Sequence, residues 1–204
     1  SQIYPDTLSE AHEAALKLLG GGLWPIPLYP VGAKLKDKEA SGKEPMGKGW
    51  GLERPTAASL RSAYLKRRNA GLGILLGPLG GVIDAEIDGP EGADSLRKLL
   101  GCEPPDTLAW SSRRGIHRLF RWDARIAAAA HEKGIIKRPD LPGLEIRIGA
   151  PDKQLQSACP PTATDGFRRE WIGGPEVAPL PGHALDFLAS PPPESARPMA
   201  RDEA

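Results

Sequence analysis

Val82-Ile83-Asp84-Ala85-Glu86-Ile87-Asp88 alternates apolar and acidic side chains from Ile83 onward. The two-residue period of a β-strand puts Ile83, Ala85 and Ile87 on one face and Asp84 and Glu86, with Val82, on the other. Two later segments repeat the design. In Ile116–Trp122, Ile116, Phe120 and Trp122 share a face interrupted by Arg118, and His117, Leu119 and Arg121 take the opposite one. In Leu144–Ile148, Leu144, Ile146 and Ile148 face one way and Glu145 and Arg147 the other. Each strand thus has a mainly apolar side for a core and a second side carrying ionisable groups.

The flanking sequence predicts helices and hairpins in mixed order. Thr7 with Glu10 fits a capping box ahead of Leu8, Ala11, Ala15, Leu18 and Leu19 at helical spacing, and Gly20-Gly21-Gly22 ends that helix. Trp24–Tyr29 reads as a short strand and residues 32–50 as a Gly- and Lys-rich loop. Thr56 caps a second helix carrying Leu60, Tyr64 and Leu65. Leu72–Leu76 and Val82–Ile87 flank Gly77-Pro78-Leu79-Gly80-Gly81 and predict a hairpin; Thr107–Ser111 and Ile116–Trp122 predict another. Asp88 with Glu91 caps a helix carrying Leu96, Leu99 and Leu100. Ala127–Arg138 is ambiguous. Leu155–Ala158 and Arg168–Ile172 read as further strands, and Gly182–Ala189 as a last helix. The fold class is α+β around an antiparallel or mixed sheet with flanking helices. One domain over residues 1–190 is expected, followed by a Pro-rich polar tail or linker at 191–204.

Composition excludes several classes. With 24 glycines and 22 prolines in 204 residues, a helical bundle is disfavoured. Two cysteines, Cys102 and Cys159, exclude a disulfide scaffold and a four-cysteine zinc site, and both read as buried small apolar residues. A net charge of +1 gives no global field. The longest uncharged stretch, Leu18 to Ala33, is interrupted by prolines and glycines and cannot span a bilayer, so no membrane partner is expected. The chain opens with no charged-then-apolar leader and reads as cytoplasmic.

If the three polar faces lie on one side of one sheet, they bring together Asp84, Glu86, His117, Glu145 and Arg147. Three carboxylates, an imidazole and a guanidinium suit a divalent-metal site that handles phosphates, with oxygen ligands favouring Mg²⁺ or Mn²⁺. Asp84 and Glu86 lie about 6.7 Å apart along a strand, a separation from which two side chains converge on a metal pair. A solvated sheet face alternates in the same way, so each strand by itself also admits that reading.

The motifs, taken in order, resemble the N-terminal primase–polymerase (prim-pol) domain of bifunctional DNA primase/polymerases, in the archaeo-eukaryotic primase superfamily, over about residues 10 to 175. Ile26-Pro27-Leu28, Lys43-x-Pro45 and Gly49-Trp50 come first. Asn69-x-Gly71-x-Gly73 precedes Val82–Asp88, which looks like the first acidic motif. Thr107 to Ser111 with Gly115, His117 and Phe120 looks like the second, and Leu144-Glu145-Ile146-Arg147 like the third. Pro160-Pro161-Thr162 and Gly166 to Trp171 resemble the close of the domain.

The resemblance implies an RRM-like sheet with an accessory N-terminal α/β unit. It implies template-directed nucleotidyl transfer from NTPs or dNTPs on single-stranded DNA, as in replication initiation. Asp84, Glu86 and Glu145 would hold two Mg²⁺ or Mn²⁺ ions, and His117 would touch the phosphates of the incoming nucleotide. Arg147, Arg113 and Arg114 would add donors, with Lys43 a further phosphate or template candidate. A C-terminal helical or helicase module, or a separate helicase, is the implied partner. Glu145 stands where Asp is common, and Arg113-Arg114 where smaller residues are usual. The zinc-bearing insertion of some relatives is missing, so no zinc is expected. A phosphodiesterase or nuclease using the same acids, or a non-catalytic nucleotide or single-strand binding module, remains open.

Two features stand outside these motifs. Residues 31–69 hold six Lys and four Arg against Asp37, Glu39, Glu44 and Glu53, which suits a nucleic-acid backbone as well as a solvated face. Among the tryptophans, Trp50 in its Gly-rich loop is the best candidate for stacking a base.

Overall fold

The computed structural model describes residues 8–129, 134–150 and 152–191. Helix α1 (Glu10–Gly20) is capped by Ser9, whose hydroxyl accepts the His12 amide at 3.2 Å. The cap expected at Thr7 lies outside the described residues. Helix α2 (Ala57–Lys66) is capped by Thr56 in a reciprocal box with Ser59. These helices pack on a three-stranded antiparallel sheet of order β1-β2-β8, built from β1 (Pro25–Leu28), β2 (Gly71–Leu76) and β8 (Leu155–Cys159).

The second sheet has five antiparallel strands in the order β4-β5-β3-β7-β6. They are β3 (Val82–Asp88), β4 (Ala109–Ser111), β5 (Gly115–Arg121), β6 (Ile135–Lys137) and β7 (Leu144–Arg147). Of the stretch Ala127–Arg138 that sequence left ambiguous, the described residues hold the end of a 3₁₀ turn (Ala124–Ala129) and β6. Helices α3 (Gly89–Leu100) and α4 (Gly182–Ala189) cover the apolar face of this sheet, where Ile83, Ala85, Ile87, Phe120 and Ile146 meet Leu96, Leu99, Leu185 and Leu188. Asp88 is the N-cap of α3, but its side chain makes no cap hydrogen bond.

The opposite face is divided. At one end Val82, Leu119 and Trp110 join the core of the three-stranded unit, among Ala15, Leu18, Leu60, Leu72 and Leu76. The other end carries the ionisable side chains. This arrangement is an α+β fold with antiparallel sheets.

Two sequence expectations are corrected. Leu72–Leu76 and Val82–Ile87 do not form a hairpin: the first belongs to the three-stranded sheet and the second to the five-stranded one, with an isolated Gly77–Val82 bridge where the chain passes between them. The reason lies in their patterns. Leu72–Leu76 is apolar throughout and buried on both faces, whereas β3 alternates and needs cover on one. Gly77 and Gly81, with φ of +91° and +71°, let the chain leave one sheet for the other. Secondly, Arg168–Ile172 is not one strand. Phe167–Arg168 (β10) pairs with Ala163–Thr164 (β9) across Asp165-Gly166, both at positive φ as a tight hairpin requires. Trp171 then bridges Trp110 at the edge of β4.

Among the described residues, no helix is long and apolar enough to cross a membrane.

Candidate active site

The register of the five-stranded sheet assembles the polar face. Glu86 stands opposite His117 on one side and Glu145 on the other. His117 is paired with Trp110, Glu145 with Lys137, and Trp110 with Trp171. One cross-sheet row therefore runs Lys137, Glu145, Glu86, His117, Trp110, Trp171. Asp84 lies one step along β3, opposite Arg147 and Leu119. The three strands singled out by their alternation are neighbours, with β3 in the middle.

Asp84 is fully buried. His117 Nδ1 donates to its Oδ2 at 2.7 Å, and the Ser157 hydroxyl of β8 donates to the same oxygen at 2.5 Å. Oδ1 is buried without a hydrogen-bond partner. Trp110 stacks flat on the imidazole, with centroids 5.1 Å apart and planes 8° from parallel. Burial pulls the His117 pKa down, but the carboxylates of Asp84 and Glu86 outweigh it against Arg147, and the net shift is upward. The ring is thus fixed at Nδ1, with Nε2 left for another oxygen.

Arg147 is held from the three-stranded sheet as well. Its Nη2 donates to the Gln156 carbonyl at 3.0 Å, and Nη1 lies 3.6 Å from Glu86 Oε2. Gln156 also donates through Nε2 to the Lys43 carbonyl at 2.8 Å, which docks the Lys-rich loop beside the acids. Arg114 reaches over the row, 3.6 Å from Glu86 and 3.5 Å from Asp88. This contact occupies the Asp88 carboxylate that sequence assigned to capping α3. Arg113 and the Lys43 side chain are exposed, in the β4–β5 turn and the docked loop.

The predicted metal ligands share a face but not a cluster. Among the described residues, no three His, Cys, Asp or Glu side chains come close enough to hold an ion together. Asp84 turns to His117 and Ser157, Glu86 faces two arginines, and Glu145 pairs with Lys137 at 2.6 Å. The donor set still fits a hard cation. It consists of carboxylate oxygens, and the orphaned Asp84 Oδ1 supplies a buried anionic atom with no proton donor of its own.

Ser157, Gln156, Trp110 and Lys137 were not identified from sequence as parts of this site. Trp110 and Lys137 follow from strand register alone. Ser157 and Gln156 depend on one sheet packing against the other, which no local pattern reports. Trp50 is half-buried and packs against the small cluster of Ile26, Leu28 and Leu75. Trp171, at 38 % exposure, is the more accessible ring. Cys159 is buried as expected, but Cys102 is exposed. A cavity of about 960 Å³ lies between α1 and residues 168–177, with Lys17, Arg121, Arg168 and Trp171 in its wall. None of the predicted site residues lines it.

A family model described as bifunctional DNA primase/polymerase, N-terminal, matches residues 15–183, a span that includes the whole polar row and Asp84. No curated protein matches the chain.

Proposed function

We propose, for a chain that belongs to the bifunctional DNA primase/polymerase N-terminal family, that the polar face of the five-stranded sheet carries out template-directed nucleotidyl transfer from NTPs or dNTPs to start or extend DNA-templated strands. The observation that carries this reading is the placement of Glu86 between His117 and Glu145, with Asp84 buried one step away against His117. The separation into an acid-bearing five-stranded sheet and a three-stranded unit with α1 and α2 is what an RRM-like sheet with an accessory unit would have.

Asp84, Glu86 and Glu145 would hold Mg²⁺ or Mn²⁺. Two such ions, when bound, supply activation of the primer 3′-hydroxyl and stabilisation of the pyrophosphate leaving group. The chain's own residues orient the nucleotide. His117, anchored through Nδ1, presents Nε2 to a phosphate oxygen, and its raised pKa keeps it a cationic donor further up the pH scale. Arg147, aimed by the Gln156 carbonyl, offers a second donor. Arg114 overhangs the face from the β4–β5 turn, Arg113 beside it in the same exposed turn would add a further donor, and Lys43 borders the face. The basic 31–69 segment is the proposed path of single-stranded template. A cytoplasmic setting and a helicase or helical module acting beside this domain, which we assign to residues 1–190, complete the reading.

The test is a primer-synthesis assay on single-stranded DNA with NTPs or dNTPs and Mg²⁺ or Mn²⁺, run beside Asp84→Ala. Metal-dependent products from the unaltered chain alone support the proposal. Loss of template instead of synthesis favours a nuclease, and nucleotide binding without turnover favours a binding module.

A further inference from the structure

Glu145 stands between two charged neighbours, Glu86 on β3 and Lys137 on β6. Like charges directly opposite one another destabilise a strand pair, and Glu86 with Glu145 is such a pair. The chain compensates from within. Lys137 Nζ lies 2.6 Å from Glu145 Oε2, while Arg114 and Arg147 each approach Glu86 to 3.6 Å. Glutamate carries one more methylene than aspartate, which gives Glu145 added reach toward the edge strand.

The Lys137 side chain is 70 % exposed, and that of Glu145 22 %. The lysine can therefore swing into water without disturbing the core, where its neighbour Ile136 anchors β6. Glu145 is tied to no other cationic group among the described residues, so its partner is exchangeable, unlike that of buried Asp84.

We propose that Lys137 is an internal counter-ion that competes with a divalent cation for Glu145, so that cation entry requires Glu145 to exchange the ammonium for the metal. This rests on the cation site proposed above. Lys137 thereby sets how much free cation the protein needs, without being a ligand itself.

The experiment is a titration of Mn²⁺ into the whole chain without nucleotide, following the paramagnetic resonance of the free aqueous ion. The proteins compared are the unaltered chain, Lys137→Met, Lys137→Gln, Lys137→Arg, Asp84→Asn and, as a control for net charge, Lys17→Met on α1. The two neutral Lys137 variants should bind Mn²⁺ roughly two- to fivefold more tightly, the range expected from releasing an exposed ion pair. Lys137→Arg and Lys17→Met should match the unaltered chain. Lys137→Met and Lys137→Gln binding no tighter than the unaltered chain, or Lys17→Met tightening as much as they do, overturns the proposal while loss of binding in Asp84→Asn still upholds the cation site. Equal binding by Asp84→Asn, or none by the unaltered chain, overturns the site and the counter-ion together.

Discussion

Ser157 and Asp84 belong to different sheets, yet the serine hydroxyl donates to Asp84 Oδ2 over 2.5 Å in a fully buried setting. The three-stranded unit therefore holds the central acid of the five-stranded one. Ser157→Ala removes a buried hydrogen bond to a charged group and should cost about 1–3 kcal/mol. Denaturant unfolding measures the loss, and nucleotide incorporation should fall with it because Asp84 then leans on His117 alone. Unchanged stability would show that the contact contributes nothing.

Trp110 is fully buried and lies flat against His117. Trp110→Ala should destabilise the fold by about 3–5 kcal/mol. Trp110→Phe keeps an aromatic face beneath the imidazole and should retain a larger share of both stability and activity. Paired thermal melts and steady-state kinetics on the two variants check the order.

Gly92 lies inside α3, where alanine is normally the better helix former by about 1 kcal/mol. A Cβ there would come within 2.2 Å of the Gly143 carbonyl oxygen. Helix and β6–β7 chain thus meet backbone to backbone, and Gly92→Ala should be destabilising by about 1–3 kcal/mol despite its propensity gain. Chemical denaturation reads the sign directly.

Glu44 has a pKa lowered to about 2, since hydrogen bonds from Lys38 and from Ser41 and neighbouring backbone amides outweigh the opposing effect of burial. A carboxylate depressed on folding contributes stability above its unfolded value, 4.5, and loses that contribution as pH falls toward 2. The loop carrying Lys43 should therefore loosen between pH 4.5 and 2, and Glu44→Gln should remove that pH dependence. Hydrogen exchange of the Ser41 and Lys43 amides follows it.

His117 titrates in the opposite sense. Its folded pKa is raised, so the protonated ring contributes stability that is complete below the unfolded value of 6.5 and fades as pH rises through the folded one. The stability difference between the unaltered chain and His117→Asn should shrink on going from pH 6 to high pH, as measured by unfolding across that range.

The polar face was legible because strand alternation is local: Asp84, Glu86, His117, Glu145 and Arg147 each announce their face within a few residues. That the three strands are neighbours is a matter of pairing, which alternation does not encode. The Gly77–Gly81 turn misled for the same reason, since a glycine turn reads alike whether it folds a hairpin or hands the chain to another sheet. Ser157 gave no signal, because its importance lies in a contact 73 residues away in sequence. Lys137 sat in a stretch whose period was unreadable beside the alanine-rich 3₁₀ turn.

The divided face of the five-stranded sheet makes ionic strength a selective lever. Asp84 and His117 lie where the three-stranded unit excludes water, and mobile ions there cannot come between them. Lys137 and Arg114, 70 % and 72 % exposed, meet their carboxylates in the solvent, where added salt screens the attraction over about 10 Å at 0.1 M. Raising salt therefore weakens the outer grip on Glu145 and Glu86 while leaving the inner pair intact. The same face of the sheet thus holds contacts that respond to its ionic surroundings and one, between Asp84 and His117, that is buried away from them.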